Sequence, residues 1–302
     1  MKNISRLIND SHLPSNITEK LICDLLKITP EKLFLDKDKI KLSADNLKKF
    51  KQIEKEVLSG IPIQYVLGKC SFHDREFTAN DSVLIPRPET EKIIEIATRF
   101  IESRITNYLP AAASRQRMQA GELRINTGFN ILDIGTGSGN IIISIIKDCS
   151  GNPIIHNSKF VIQPFASDIS PKALQIAKQN ARFHNVENKI KFLKSDLFSN
   201  PKLPKKFDLI IANLPYLSPE ETKKLPFEPA LALNGGKDGL ELIAKLIENL
   251  PEKLSKNGQA ILEIGYKQKN SIIKMATKKN LKTKVLKDLG GYDRYAIFSI
   301  DK

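Results

Sequence analysis

The sequence of 302 residues has only three cysteines, and they lie far apart along the chain. Cys23, Cys70 and Cys149 form no C-x-x-C pair, so their number and spacing argue against a disulfide framework and against a cysteine zinc site. The four histidines are equally scattered and indicate ordinary surface or half-buried positions. We therefore expect no bound metal, and a protein of the cytoplasm, where thiols stay reduced.

Long apolar runs are also missing. The longest runs, such as NIIISII at 140–146, are far shorter than the roughly 20 apolar residues that cross a bilayer. The first residues, MKNISRLINDSH, lack the apolar stretch and the small-residue cleavage site of a signal peptide. Hydrophobic residues still make up 41% of the chain, which is enough to fill a globular core. The composition predicts a folded protein that is not inserted in a membrane.

Negative charge is scarce relative to positive charge, and the net charge is +14. Residues 131–302 hold 27 Lys/Arg against 17 Asp/Glu, so +10 of the excess lies there. Such an excess can attract nucleic acid. However, the lysines are dispersed and outnumber the arginines 38 to 10, which favours a compositional bias with at most weak electrostatic steering.

Helical patterns fill the first part of the chain. Apolar positions recur at helical spacing in LPSNITEKLICDLLKI and again in ADNLKKFKQIEKEVLSG, which ends at Gly60. These patterns predict a helical N-terminal domain over residues 1–60. The following segment, PIQYVLGKCSFHDREFTANDSVLIP, alternates and contains β-branched and aromatic residues, which predicts a β-hairpin linker over residues 61–89.

Strand and helix patterns alternate in the rest of the chain, residues 90–302. The apolar strand candidates are NILDIG, KFVIQPFASD, KIKFLKSD, FDLIIAN and GQAILEIG. Their alternation with helix candidates predicts an α/β fold with a mostly parallel, doubly wound sheet. Residues 104–129 break the pattern, because they hold four of the ten arginines and no sustained apolar period. We interpret them as an inserted surface loop.

A glycine-rich turn follows the first strand of this domain, in ILDIGTGSG at 131–139. Glycine lets the backbone turn tightly and approach a ligand closely. The spacing is neither the dinucleotide pattern G-x-G-x-x-G nor the phosphate loop G-x-x-x-x-G-K-[ST]. An acid, Asp133, followed by Gly135-x-Gly137-x-Gly139 resembles the S-adenosylmethionine loop of Rossmann-like methyltransferases, although such turns also serve packing alone.

Two further strands end in candidate ligand-binding residues. Asp168 stands at the tip of the second strand, where a carboxylate can accept both ribose hydroxyls of a nucleoside. The alternative is a turn or helix-capping role, since Ser170 and Pro171 follow. Asp196 and Leu197 end the third strand and could meet the edge and face of an adenine, although Asp196 is equally suited to a plain turn. Ligands in open α/β sheets lie beyond the carboxyl ends of the strands, so these tips should converge.

The fourth strand ends in NLPY, residues 213–216. An amide or nucleobase nitrogen is a poor nucleophile, and two acceptors aimed at its N–H groups can orient it for methyl transfer. The side-chain oxygen of Asn213 and the main-chain carbonyl of Leu214 are candidates for these acceptors. Pro215 fixes φ and stiffens the turn, and Tyr216 offers a ring face to a planar group.

Taken together, these motifs resemble the bacterial release factor glutamine methyltransferases, the HemK/PrmC family. The resemblance runs from about residue 15 to the C-terminus, apart from 104–129. Its most specific stretches are GIPIQYVLG, LIPRPETE, ILDIGTGSG, SDLF, NLPY, FEPALALNGGKDGLE and GGYDRYAIF.

The resemblance implies a Rossmann-like class I S-adenosylmethionine-dependent methyltransferase domain, preceded by a small helical N-terminal domain that docks the substrate. It implies one antiparallel terminal strand in the sheet. It also implies methylation of the glutamine amide in the Gly-Gly-Gln motif of class I peptide chain release factors, which tunes translation termination. On this basis we expect a cytoplasmic enzyme, a monomer that requires no direct contact with nucleic acid.

The resemblance also implies the site residues. S-adenosylmethionine would be held by Gly135, Thr136, Gly137, Ser138, Gly139, Asp168, Leu197 and Asn213. The catalytic residues, which also grip the glutamine, would be Asn213, Leu214, Pro215 and Tyr216. Further substrate contacts would come from Phe227, Glu228 and Pro229.

The sequence departs from the family pattern at three places. Leu214 stands where the family has proline, Leu197 stands where some relatives carry a larger aromatic residue, and 104–129 is inserted. Because NLPY also occurs in ribosomal RNA adenine dimethyltransferases, an RNA adenine amino-group methyltransferase is the main alternative. LIPRPETE and FEPALALNGGKDGLE argue against it. A second alternative is an inactive protein that only binds release factors, which the intact glycine loop and acids disfavour.

Overall fold

The computed structural model describes residues 2–108, 128–153, 155 and 161–300. The chain divides into two compact units, residues 1–68 and residues 69–302. Each unit has its own set of helices and strands.

The first unit is built mainly of helices, as the sequence predicts. Its elements are β1 (Lys2–Asn3), α1 (Ile4–Asp10), α2 (Ser15–Leu26), α3 (Pro30–Asp36), β2 (Lys41–Leu42), α4 (Ala44–Leu58) and α5 (Ile63–Leu67). The hydroxyls of Thr29 and Ser43 cap α3 and α4 by accepting main-chain N–H groups. Leu21, Ile22 and Phe50 are fully buried, so α2 and α4 turn one apolar face each toward a shared small core.

The β-hairpin that follows the helices of the first unit is shorter than the sequence prediction, which was the whole segment 61–89. Residues Ile63–Leu67 form α5 instead of a strand, because Pro62 begins the helix and Gly68, at a φ of 71°, ends it. The hairpin itself consists of β3 (Lys69–Phe72) and β4 (Arg75–Thr78), which pair antiparallel. His73 and Asp74 both have positive φ, which is the backbone of a two-residue hairpin turn matched to the strand twist.

The second unit contains a seven-stranded sheet. Its strands are β5 (Phe129–Ile134), β6 (Ile162–Asp168), β7 (Lys191–Lys194), β8 (Phe207–Ala212), β9 (Leu254–Glu263), β10 (Leu281–Lys287) and β11 (Asp293–Ile300). Their order is β10-β11-β9-β8-β5-β6-β7. β11 runs antiparallel to β9 and β10, whereas the pairs from β9 to β7 are parallel. The expected sheet with one antiparallel terminal strand is therefore confirmed.

Helices connect these strands. They are α6 (Glu91–Tyr108), α7 (Asn140–Gly151), α8 (Pro171–Phe183), α9 (Pro219–Thr222), α10 (Ala230–Leu233), α11 (Glu241–Lys253) and α12 (Lys269–Thr277). α11 illustrates the packing, because Ile243, Leu246 and Leu250 recur on one face and are fully buried in the main core with β8 and β9. Within the described residues, no helix has both the length and the apolar character that a bilayer span requires.

The structure differs from the predicted insertion over 104–129 at both ends of that segment. Residues 104–108 continue α6, and Phe129 begins β5. The intervening residues 109–127 lie outside the described residues. Helix α6 and strand β5 therefore extend further into residues 104–129 than the sequence predicts from the lack of a regular apolar pattern.

The parallel strands bring their carboxyl ends to one edge of the sheet. Asp168, Ala212 and Glu263 are the last residues of β6, β8 and β9, and Ile134 ends β5 between them. The segments that the sequence singles out follow these residues directly. The topology thus places the candidate residues along one edge, as expected for a ligand site of an open α/β sheet.

Candidate active site

In the glycine loop between β5 and α7, Gly139 is needed for helix packing, whereas Gly137 borders open space. A Cβ on Gly139 would lie 2.9 Å from Ile143 Cδ1 and 3.2 Å from Ala177 Cβ, so this glycine permits close packing of α7 and α8. A Cβ on Gly137 would meet only the main-chain oxygen of Gly135, at 3.9 Å. Gly137 therefore leaves its main chain open to the space beyond the sheet edge, at a φ of 55° that favours glycine.

The polar side chains of this loop point into the protein. Thr136 Oγ1 donates to Asp133 Oδ2 over 2.6 Å, and Ser138 Oγ donates to Asn140 Oδ1 over 3.0 Å. Thr136 and Ser138 are both buried. They shape the loop, and it is the loop's main chain that faces the outside.

Asp133 is a buried carboxyl group beneath this loop. It is fully buried, and its Oδ1 has no hydrogen-bond partner among the described residues. Burial raises the pKa of Asp133 to about 7, although the hydrogen bond from Thr136 lowers it. A fully buried carboxyl group of this kind favours its neutral form, and its place under the loop makes it part of the loop's support.

Asp168 has the turn role that the sequence left open, and its ribose-binding role stays a prediction. Its Oδ1 accepts the Ser170 N–H over 2.8 Å, which fixes the turn before α8. Its Oδ2 accepts the Gly137 N–H over 2.9 Å, which ties the second strand tip to the glycine loop. A carboxylate has about four acceptor positions, so two remain for ligand hydroxyls. Burial raises the pKa of Asp168.

Leu197 follows β7 in a strained backbone conformation. Its φ is 47°, which costs a non-glycine residue about 1–3 kcal/mol. The loop is held in place because Ser195 Oγ donates to the Leu197 main-chain oxygen over 2.8 Å. The Leu197 side chain is half-buried against the main core, whereas Asp196 is exposed.

The NLPY turn follows β8 and lies against the glycine loop. Leu214 is only 6% exposed, and its Cδ2 lies 3.2 Å from the position of a Cβ on Gly135. Asn213 Nδ2 donates to Thr90 Oγ1 over 3.2 Å. The candidate substrate turn and the candidate cofactor loop are therefore in direct contact through Leu214.

The stretch ALNGGKDG packs tightly on the main chain of this turn. A Cβ on Gly235 would lie 2.4 Å from the Pro215 main-chain oxygen, and one on Gly239 would lie 2.0 Å from that of Tyr216. Gln268 Nε2 also donates to the Tyr216 main-chain oxygen, over 3.1 Å. These contacts explain why glycine occupies both positions, and they hold the main chain of the turn in place.

A pocket of about 150 Å³ opens beside the turn. Its lining is Leu84, Arg87, Glu89, Asn213, Leu214, Tyr216, Leu217, Leu225, Ala232, Leu233 and Glu263. Six of the lining residues are leucine or alanine, and the polar ones come from the segment before α6, from the NLPY turn and from the end of β9. Such a pocket suits a small planar polar group at the end of an aliphatic stem.

The three residues expected as further substrate contacts, Phe227, Glu228 and Pro229, do not line this pocket. Phe227 is 40% exposed, and the pocket lining in the described part of the chain includes neither Phe227 nor Pro229. Glu228 is buried and braces the loop before α6, because it pairs with Arg87 and accepts the Ile85 N–H over 3.4 Å. Glu228 therefore shapes the pocket through Arg87, and a substrate role of Phe227 and Pro229 stays a prediction.

Sequence reasoning missed Thr90 and Glu263. Glu263 is 1% exposed, and it accepts from Thr90 Oγ1 over 2.7 Å and from the Tyr216 hydroxyl over 3.2 Å. Burial raises the pKa values of Glu263 and Tyr216. The available signal was that Thr90 lies in LIPRPETE and Glu263 ends a strand at the ligand edge.

The sequence matches two known families. The profile described as "Methyltransferase domain" matches residues 125–290, and the one described as "PrmC N-terminal domain" matches residues 2–68. The chain is 32% identical to the release factor glutamine methyltransferase of Thermodesulfovibrio yellowstonii over 308 aligned residues, which cover 100% of this chain and 98% of that protein. It is 33% identical to the protein of that name from Bacillus subtilis, over 84% of this chain and 80% of that protein.

Other similarities are partial or concern the fold. The bifunctional methyltransferase of Rickettsia prowazekii is 34% identical over 78% of this chain, which spans 43% of that longer protein. The solved structure of the hMettl16 catalytic domain in complex with MAT2A 3′UTR hairpin 6 aligns with a TM-score of 0.51. It covers 75% of this chain and 76% of that chain at 15% identity, so this likeness describes the fold alone.

Proposed function

This chain belongs to the family of release factor glutamine methyltransferases, and we propose that it methylates the glutamine of the Gly-Gly-Gln motif in class I peptide chain release factors. The methyl group would come from S-adenosylmethionine and would be attached to the side-chain amide nitrogen. The observation that carries this proposal is the contact between the NLPY turn and the glycine loop through Leu214.

The residues at the edge of β5 and β6 fit S-adenosylmethionine. The space beside Gly137 admits a ligand, and the two remaining acceptor positions of Asp168 suit ribose hydroxyls. Leu197 presents a half-buried apolar side chain suited to an adenine face. When bound, the cofactor supplies a methyl group on a positively charged sulfonium, which is already activated for transfer.

The NLPY turn performs the task that remains, which is to orient the glutamine nitrogen. Asn213 Nδ2 is engaged by Thr90, so Asn213 Oδ1 is available to accept one N–H of the substrate amide. We assign the second acceptor to the main-chain carbonyl of Leu214. Two fixed acceptors favour the positive charge and the tetrahedral geometry that develop on the nitrogen as it attacks. The proton that the nitrogen loses passes to solvent.

Tyr216 and the apolar walls position the rest of the glutamine side chain. The Tyr216 hydroxyl is held by Glu263, so its ring has a fixed orientation at the pocket. Leu225 and Leu233 supply apolar surface to the methylene stem. Excluding water here strengthens the hydrogen bonds that orient the amide.

We also propose the broader setting of this reaction. The first unit, which matches the PrmC N-terminal domain, would dock the release factor while the second unit performs the transfer. The enzyme would act in the cytoplasm as a monomer, without nucleic acid, and would tune translation termination. RNA adenine methylation receives less support, because the relatives that align with nearly the whole chain carry the glutamine methyltransferase name.

The proposal is tested by offering competing substrates. The enzyme is incubated with methyl-labelled S-adenosylmethionine and, in parallel, a class I release factor, the same factor with the motif glutamine replaced by alanine, and ribosomal RNA. Label on the first substrate alone supports the proposal. Label on the RNA, or equal label on both release factors, would overturn it.

A further inference from the structure

Glu263 is a buried carboxylate that the proposed reaction does not use directly. It ends β9 and is 1% exposed, and an isolated charge in that position would be costly. Its two oxygens accept hydroxyl groups from different segments, Thr90 before α6 and Tyr216 in the NLPY turn. One carboxylate therefore joins two elements that line the same pocket.

The hydrogen bond to Glu263 determines what Thr90 can offer to Asn213. A hydroxyl group has a single proton to donate, and Thr90 donates it to Glu263 Oε2 over 2.7 Å. Its oxygen is then left to act only as an acceptor. The Asn213 group that faces it, 3.2 Å away, must consequently be the Nδ2 donor.

The direction of this hydrogen bond matters because a side-chain amide can rotate by 180°, which exchanges its oxygen and its NH₂ group with little change of shape. If Asn213 were reversed, its NH₂ group would face the substrate amide, and donor would meet donor. The acceptor-only state of Thr90 excludes that arrangement, so Asn213 Oδ1 stays directed away from Thr90. Glu263, which is linked to Asn213 through Thr90 by two hydrogen bonds, therefore determines the orientation of the Asn213 side-chain amide.

We propose that Glu263 and Thr90 are positioning residues that fix the direction of the Asn213 amide and thereby align the acceptor glutamine. This inference rests on the proposed function for its kinetic consequence, but the hydrogen-bond direction itself can be measured without turnover. Glutamate is required at position 263 because its ionised form can only accept, and the two hydroxyl donors and the nearby Arg294 favour that form against the burial that raises its pKa. An amide of the same shape can also donate.

Glu263→Gln tests this directly. The glutamine can donate to Thr90 Oγ1, which frees the Thr90 proton to bond Asn213 Oδ1 and stabilises the reversed amide. We expect kcat for release factor methylation to fall about 10- to 100-fold, as when one aligned donor or acceptor is lost. The KM for S-adenosylmethionine should change much less than kcat, since Gly137 and Asp168 are not touched and Asn213 is the one predicted cofactor residue that the substitution affects. Glu248→Gln is the matched control, because Glu248 is exposed and pairs with Lys279 on the surface.

Thr90 variants provide the second test and a rescue. Thr90→Val keeps the shape but removes the hydroxyl, so it should lower kcat like Glu263→Gln, whereas Thr90→Ser restores the hydroxyl and should recover most of the rate. Tyr216→Phe breaks only the other bond to Glu263 and leaves the Thr90–Asn213 bond intact. It should therefore raise the KM for the release factor more than it lowers kcat. Circular dichroism of each variant checks that it is folded.

The readout that does not depend on turnover is the side-chain NH₂ signal of Asn213 in ¹⁵N-labelled protein, assigned by its loss in Asn213→Asp. We expect this signal to shift in Glu263→Gln and Thr90→Val and to stay in place in Glu248→Gln. An unshifted signal in Glu263→Gln, a kcat equal to that of the wild type, or an effect on KM alone would overturn the positioning role. If the signal shifts but the wild-type enzyme does not methylate any release factor, the hydrogen-bond direction from Glu263 through Thr90 to Asn213 is supported and the proposed function fails.

Discussion

On the proposed mechanism, leucine can replace the proline expected at position 214 and still perform the same chemical task. The reaction proposed here uses only the main-chain carbonyl of this residue. Its side chain is buried and packs toward Gly135. We expect Leu214→Pro to keep kcat near the wild-type value and to lower the free energy of unfolding by about 1–3 kcal/mol, because buried atoms are lost.

Denaturant unfolding and steady-state kinetics of Leu214→Pro measure the two effects separately. The opposing hypothesis is that leucine marks a lost or redirected site. It predicts that the wild type leaves a Gly-Gly-Gln substrate unlabelled and that Leu214→Pro restores labelling.

Asp133 should make the stability of the ligand-free protein depend on pH. Its pKa is about 7 in the folded chain, above the 3.8 of an ordinary aspartate, so the folded state binds the proton more tightly than the unfolded state. The stabilisation is complete below the lower value and is lost as the pH rises through the upper value. Asp133→Asn removes this dependence. Its free energy of unfolding relative to wild type should rise by ~2 kcal/mol between about pH 5 and about pH 8.

Chemical denaturation at a series of pH values measures that difference. Glu263 also has a raised pKa, but it is present in both proteins and cancels in the comparison, whereas the charge of Asp168 is one cause of the raised pKa of Asp133 and belongs to the measured effect. A difference between variant and wild type that stays constant with pH would contradict the account of Asp133.

At the scale of elements, the loop between β5 and α7 separates ligand binding from packing. Gly139→Ala would clash with Ile143 and with Ala177 of α8 and would also strain the backbone, whose φ is 79°, so it should lower the free energy of unfolding by about 2–5 kcal/mol. Gly137→Ala meets open space and should cost only about 1–2 kcal/mol of backbone strain. Its main effect should be weaker binding of S-adenosylmethionine.

Isothermal calorimetry and thermal unfolding of the two variants test this division. Equal losses of stability and of cofactor affinity in both variants would show that the loop acts as one unit, contrary to the account.

The sequence predicted those parts of the site that follow strands directly. Asp168 and Asn213 could be placed because parallel strands bring their carboxyl ends together, and this requires only the strand pattern. The bond between Thr90 and Glu263 joins residues 173 positions apart through side chains, and no local period encodes such a contact. The helix at Ile63–Leu67 was missed because Pro62 and Gly68 set its ends, while its apolar residues suited a strand equally well.

At the scale of the whole molecule, the first unit has apolar surface available for a protein partner. Phe34 and Leu35 on α3 are 76% and 75% exposed. If this unit docks the release factor, Phe34→Ser and Leu35→Ser should raise the KM for the release factor several-fold. Both variants should leave kcat and the KM for S-adenosylmethionine unchanged, because neither residue belongs to the second unit.

Kinetics with a full-length release factor and with a short Gly-Gly-Gln peptide distinguish docking from a general loss of activity. The docking account requires that only the full-length substrate is affected. An equal effect on the peptide would assign these residues to the fold of the enzyme.

The most direct measurement of the central claim is to locate the transferred methyl group by mass spectrometry of the release factor after reaction with wild-type and Asn213→Ala enzyme. The account predicts one methyl group on the side-chain nitrogen of the motif glutamine with the wild type. It predicts a rate roughly a hundredfold lower with Asn213→Ala, since one aligned acceptor is worth ~3 kcal/mol, while the variant stays folded. A methyl group on any other residue, or an unchanged rate with Asn213→Ala, would contradict it.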